Sequence, residues 1–281
     1  MADSRTKGNK ILEAACWYNL VGIDYAATKI PNLQIDHFLT QEQNSANNLQ
    51  YLESDQLNAS NLAEEQANYT GHISNASYNI MTARKIADKV TSLDELEQEL
   101  LKFDLCDLKR TARNLVFGAG SRSAKIMLIG EAPGATEDEK KIPFCGISGQ
   151  LLDNMLATIG LFREKNFYIT NTVFWRPPNN RPPLAEEIEI CRPFLEKHIA
   201  LIQPKIIVLV GSVALNTLLG NKYQISSCRR TMQRYSNPYM QNINTTAIFH
   251  PAYLIRQPLK KKTAWFDMLE LKKTLITQNI L

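Results

Sequence analysis

Several common architectures are missing from this sequence. No apolar run approaches the roughly 18 residues that a membrane-spanning helix needs, so no membrane partner is expected. The first 30 residues lack the continuous apolar stretch of a secretory signal, and a cytoplasmic location is expected. Cysteine is scarce. Cys16, Cys106, Cys145, Cys191 and Cys228 are odd in number and widely scattered, which argues against the disulfide framework of a small secreted domain. No Cys-x-x-Cys pair occurs, which argues against a zinc ribbon. No internal repeat is evident.

What is present suits a globular chain. With 281 residues, 44% hydrophobic and 21% charged, it can bury a sizeable core as one large domain with an extension, or as two domains. The net charge of +4 hides an asymmetry. Residues 1–80 carry 4 Lys/Arg against 9 Asp/Glu, whereas residues 81–281 carry 28 against 19. A basic C-terminal region fits a polyanionic partner such as nucleic acid, although many enzymes are equally basic.

The apolar pattern divides the chain into three regions. An N-terminal helix within 1–30 carries Ile11, Ala15, Leu20 and Ile23 on its apolar positions. An Asn/Gln/Ser-rich stretch at 31–78 lacks apolar periodicity and reads as a flexible linker. A compact domain is expected over 79–281. It begins with a helix at 79–90, and Ser92-Leu93-Asp94-Glu95 supplies a capping box for a second helix ending near Phe103. Strands are expected at 125–130, 167–171, 205–210 and 245–249, and helices at 148–159, 184–201, 212–219 and 263–277. This alternation implies an α/β fold, a three-layer α/β/α domain with a central parallel sheet of about four strands.

Three loops follow those strands. Gly130-Glu131-Ala132-Pro133-Gly134-Ala135-Thr136-Glu137-Asp138 leads to Pro143-Phe144-Cys145-Gly146. Asn171 precedes Arg176-Pro177-Pro178-Asn179-Asn180-Arg181. His250-Pro251-Ala252-Tyr253-Leu254-Ile255-Arg256 closes the series. In an open parallel sheet, ligands bind beyond the carboxyl ends of the strands. There an amide can read a base edge, a phenyl ring can stack on it, and a histidine can donate to a developing anion. Each residue taken singly also has a structural reading: Glu131 as a turn cap, Phe144 as core, Asn171 as an Asx turn, His250 as a satisfied buried histidine. Arg229-Arg230 and Lys260-Lys261-Lys262 read as solvated surface, and His198 as a surface or packing residue. Cys145 has no neighbouring histidine to make it a nucleophile.

Taken together and in order, GEAPGATED at 130–138, PFCGISGQLLDNML at 143–156, YITN at 168–171, RPPNNR at 176–181 and HPAYLIR at 250–256 resemble the family 4 uracil-DNA glycosylases over about residues 103–277. Trp175 and the N-terminal extension resemble a bacterial subgroup of that family. The resemblance implies a monomeric enzyme of base-excision repair that excises uracil from uracil-containing DNA by base flipping and leaves an abasic site. It assigns catalysis to His250, Asn171, Glu131 and Glu137. His250 would stabilise charge on the uracil O2, Asn171 would read the base edge, and the two glutamates would position the attacking water or nearby polar groups. Phe144 would stack on the base. Asn180 matches another functional position, and Ala132 stands where other branches carry a water-activating Asp. DNA contact would fall to Leu254 and Arg256, which would enter the duplex, and to Arg181 and Lys260. A glycosylase for hypoxanthine or xanthine, or an inactive protein that binds uracil or single strands, are the alternatives.

The resemblance also implies a [4Fe–4S] cluster on four cysteines. Here the first Cys-x-x-Cys is Phe103-Asp104-Leu105-Cys106, the third position is Trp175 and the fourth is Cys191. Neither Phe nor Trp ligates iron. No cofactor is therefore expected, and aromatic packing is expected to fill the cluster volume, since each such ring buries about 150–250 Å².

Overall fold

A computed structural model describes Trp17 and residues 62–281, with side chains, apart from Trp17, from residue 75 onward. Most of the expected N-terminal helix and residues 31–61 of the expected linker lie outside the described residues. The chain divides into two compact units, Met1–Ile23 with Ser74–Leu281, and Asp24–Ile73.

Among the described residues, six strands form one sheet: β1 (Ala119–Gly120), β2 (Ile126–Gly130), β3 (Phe167–Asn171), β4 (Ile206–Val210), β5 (Gln233–Tyr235) and β6 (Ile243–Ile248). Their spatial order is β1-β3-β2-β4-β6-β5. The four central strands are parallel, as expected, and the short β1 and β5 pair antiparallel at the two edges. β2 and β4 are apolar throughout because both faces are covered. Met127, Ile129, Ile207 and Leu209 join one core, while Ile126, Leu128, Ile206, Val208 and Val210 join the other.

From residue 62 onward the helices are α1 (Leu62–Lys89), α2 (Leu93–Lys102), α3 (Asp107–Thr111), α4 (Ala135–Lys140), α5 (Ile147–Ala157), α6 (Arg163–Asn166), α7 (Ala185–Ile202), α8 (Ser212–Leu219), α9 (Ile225–Cys228), α10 (Pro251–Arg256) and α11 (Lys261–Thr277). Buried residues of α2, α7 and α8 line the first core, and those of α5 and α11 line the second, which gives the three layers. Among the described residues no helix is long and apolar enough to cross a membrane.

The helix expected at 79 starts at Leu62, so residues 62–78 are helical rather than linker. The start Leu-Ala-Glu-Glu-Gln-Ala is built of strong helix formers but carries no apolar stripe, so periodicity does not reveal it. Ser92 caps the second helix as expected, but the return bond of a capping box comes from Thr91 rather than from the cap residue itself. Ser92 Oγ accepts from Glu95 N at 3.2 Å, and the Glu95 carboxylate reaches back to Thr91 N at 2.8 Å. Trp17 is fully buried, its ring centroid 5.1 Å from that of Trp265 in α11.

The last helix returns along the sheet. Asn244 near the start of β6 donates to Gln278 just after α11, at 3.1 Å. The first turn of α11, and the 3₁₀ turn Pro258–Lys260 before it, therefore lie at the opposite edge, where the parallel strands end.

Candidate active site

The carboxyl ends of β2, β3 and β6 bring the three loops together. Gly130 ends β2 directly beside Asn171 at the end of β3. A methyl group at Gly130 would lie 2.3 Å from Phe144 Cζ and 2.6 Å from Asn171 Oδ1, so only glycine allows ring and amide to meet there. The Phe144 ring is 5.7 Å from the His250 ring, tilted by 38°. His250 in turn packs over Gly211 at the end of β4, where a Cβ would approach it to 3.0 Å. Phe144, Asn171 and His250, three of the residues singled out in the sequence, thus surround one small volume.

Asn171 is 1% exposed, and neither Oδ1 nor Nδ2 has a partner within the protein. Leaving a buried polar group unmade costs about 1–3 kcal/mol. Such a group at a strand end is poised for a ligand carrying one donor and one acceptor.

The state of His250 follows from its cap. Its Nδ1 accepts from Ala252 N at 3.2 Å at the start of α10, so the neutral ring carries its proton on Nε2. Burial, aided by Arg256, lowers its pKa to about 4, against a smaller opposing effect of Glu137. The ring is therefore a neutral N–H donor at physiological pH.

Glu131 is partly buried, and burial raises its carboxyl above the usual range, with Arg256 pulling the other way. Thr172 anchors this loop through Oγ1 to Glu131 O at 2.5 Å and N to Gly130 O at 2.9 Å. Glu137 is occupied differently. Its carboxylate accepts from Gly134 N at 3.1 Å and from Gly146 N at 2.9 Å, joining the first loop to the segment that carries Phe144. Ala132 packs against the first core. Burial, with Glu137 nearby, raises the Cys145 thiol, which leaves it protonated and a poor nucleophile.

Other expected site residues lie further out. Asn180 is exposed on a 3₁₀ turn and accepts from Arg176 Nε at 2.7 Å. Arg181 forms a two-pronged ion pair with Glu187 at 2.9 and 2.6 Å, so its charge is already compensated. Arg256 and Lys260 are exposed. Leu254 is not: it is 0% exposed in the second core, because the six-residue helix α10 turns that side chain inward. The expectation that Leu254 enters a duplex does not fit this placement. The exposed apolar side chains of residues 250–260 are Ile255 and, at 92%, Leu259.

One further expectation is corrected, and the reading of His198 as a surface or packing residue narrows to packing. Arg229, read as surface, is tied to the buried Asp267 at 2.8 Å, and its guanidinium lies 4.9 Å from the Phe249 ring centre, next to His250. Burial raises the Asp267 carboxyl to about 6 despite Arg229. His198 is wholly internal, bonded to the Tyr168 hydroxyl at 3.0 Å and stacked on Phe117, and burial lowers its pKa to about 3.

The positions matching cluster ligands do not fit a four-thiolate group. Phe103 and Trp175 are 4% and 2% exposed, and Phe103 packs edge-on against Phe194 with centroids 4.9 Å apart. Cys106 and Cys191 are buried free thiols that share a hydrogen bond. Two sulfurs and two rings cannot ligate four irons.

The family model described as the uracil DNA glycosylase superfamily matches residues 117–270. The chain is 39% identical to the type-4 uracil-DNA glycosylase of Archaeoglobus fulgidus over 173 residues, covering 59% of this chain and 85% of that protein. It is 36% identical to the type-4 uracil-DNA glycosylase of Thermotoga maritima over 167 residues, covering 58% and 83%. Against the type-5 uracil-DNA glycosylase of Thermus thermophilus the identity is 32% over 118 residues, covering 37% and 53%.

Proposed function

Because the chain belongs to the uracil-DNA glycosylase superfamily, and to its type-4 family, we propose that it hydrolyses the N-glycosidic bond of uracil in DNA and leaves an abasic site. The observation that carries this reading is Asn171, whose unpaired amide lies beside the Phe144 ring at the end of β3. Uracil offers an N3–H donor next to an O4 acceptor, and one amide satisfies both. Cytosine has no N3–H and presents an amine at position 4, so it leaves the amide mismatched.

The chemistry needs the base outside the stack, where Phe144 covers its face. As the bond to C1′ lengthens, negative charge gathers on the base and His250 Nε2–H donates to O2. Glu131 orients the water whose oxygen joins C1′. The uracil anion departs and takes up a proton, and the sugar gains the hydroxyl. Glu137 acts by fixing the loops rather than by touching water, and Asn180 by holding Arg176.

Uracil-containing DNA is the partner, met by a monomer. Arg256 and Lys260 face the phosphates, giving salt-dependent and sequence-independent affinity; Arg181 serves mainly to hold Glu187. Leu259 takes the wedge role that the sequence suggested for Leu254. It stands on the rigid Pro258 turn, at the same sheet edge as His250, between Arg256 and Lys260. An apolar side chain there fills the gap left by an extruded base.

The test uses oligonucleotides with a single uracil, a single hypoxanthine or neither, single-stranded and duplex, followed by alkaline cleavage. Breaks at uracil alone support the reading, and uracil strands left intact overturn it. Leu259→Ala should slow excision from duplex by about tenfold while leaving single-stranded substrate unchanged. Equal loss on both substrates would remove Leu259 from the wedge role.

We also propose that the enzyme works without an iron–sulfur cluster, its volume filled by Phe103 and Trp175. Freshly purified protein should lack the visible cluster band, and chelation should leave excision unchanged. Iron and sulfide near about four per chain would overturn this.

A further inference from the structure

Phe144 is a non-glycine residue at φ 53°, in the left-handed region that its side chain disfavours. Such a conformation persists only where the surroundings over-determine it. Three groups do so. Gly149 in α5 leaves room for the Phe144 carbonyl, to which a Cβ would come within 1.7 Å. Glu137 holds Gly146 N two residues on. The third is Arg163, the first residue of α6, near the opposite end of β3 from Asn171. Its Nη1 donates to Pro143 O at 2.6 Å and its Nη2 to Phe144 O at 2.9 Å. Nη2 also lies 3.1 and 3.2 Å from the Asp153 carboxylate of α5.

We propose that Arg163 is the positioning residue that sets the Phe144 ring over the pocket, by forking onto the two consecutive carbonyls of Pro143 and Phe144. The inference rests on Phe144 being the stacking wall of the base pocket. The side chain of Arg163 is only 14% exposed, so its charge is turned toward the loop and Asp153 rather than toward a phosphate backbone. The planar fork matters. A lysine ammonium at the same place is a point charge and cannot span both carbonyls in fixed geometry. Loss of the fork frees the carbonyl that holds Phe144 in its left-handed state, and the ring leaves Gly130 and Asn171.

A mutant cycle tests this, using Arg163→Met, Arg163→Lys, Phe144→Leu and the double variant Arg163→Met/Phe144→Leu. Single-turnover excision is measured from a uracil oligonucleotide, with the unfolding midpoint as a control. Arg163→Met should lose about 10–100-fold in rate, the scale of an ångström-level misplacement. Arg163→Lys, which keeps the charge beside Asp153, should fall between Arg163→Met and the parent. The double variant should be no slower than Phe144→Leu alone, because the two residues act through one ring. Losses that multiply, or an Arg163→Lys variant as fast as the parent, would overturn the proposal. A second readout does not depend on activity. In a Phe144→Trp background, difference fluorescence against the Phe144 parent should show Arg163→Met exposing the reporter to acrylamide. If the parent protein released no uracil, the proposed function would fail while this quenching result still decided the role of Arg163.

Discussion

Replacing His250 by alanine should slow uracil release by roughly 10²–10³-fold, the usual cost of removing one donor aimed at a developing anion. The loss should fall on the chemical step, because the Nε2–H bond to O2 strengthens only as charge builds. The pH profile is a sharper test than the rate. Burial holds His250 near 4, below its ordinary 6.5. The parent rate should therefore show no histidine step near 6.5; His250 itself gains a proton, and loses its acceptance from Ala252, only as pH drops through about 4. A rate that follows a group near 6.5 would contradict the neutral-donor assignment. Stability follows the same sign. Between 6.5 and about 4 the unfolded chain binds the proton that folded His250 refuses, so the stability contribution is complete above 6.5 and declines as pH falls toward 4. His250→Ala should remove that decline in part; His198, held near 3, supplies another share.

Asn171→Leu should lower excision by at least about 10²-fold, since the edge-reading pair disappears and the pocket becomes apolar. Its effect on the fold should have the opposite sign. Asn171 is buried with both polar atoms unpaired in the protein. A leucine of similar volume removes that penalty, so the unfolding midpoint should hold or rise. Activity lost together with a midpoint several degrees lower would identify Asn171 as structural instead. Binding of free uracil, followed by titration, should vanish in this variant and survive in Leu259→Ala.

β2, β3 and β4 were legible in the sequence because each is a short, mainly apolar run ended by glycine or asparagine, and β6 because Thr246-Ala247-Ile248-Phe249 stops at His250-Pro251. β1 and β5 were not, since strands of two or three residues carry no period. The pocket residues were legible as motifs in three loops, and the parallel sheet brings those loops to one edge. Arg163 was not, because the groups through which it holds Phe144 are backbone carbonyls, and carbonyls leave no trace in a side-chain pattern. Gly149 sits inside an ordinary helix for the same reason. Leu254 was misplaced because a six-residue helix has too few positions to show which side faces inward. The Arg229–Asp267 pair spans 38 residues, and nothing local marks one arginine of a doublet as internal.

Phe103 and Trp175 also bear on supply. Aromatic side chains leave the ribosome with the chain, whereas a cluster must be fetched, assembled and protected. A repair enzyme packed in this way would be complete at the end of translation. Its activity would then depend neither on iron supply nor on shielding a cluster from oxidants.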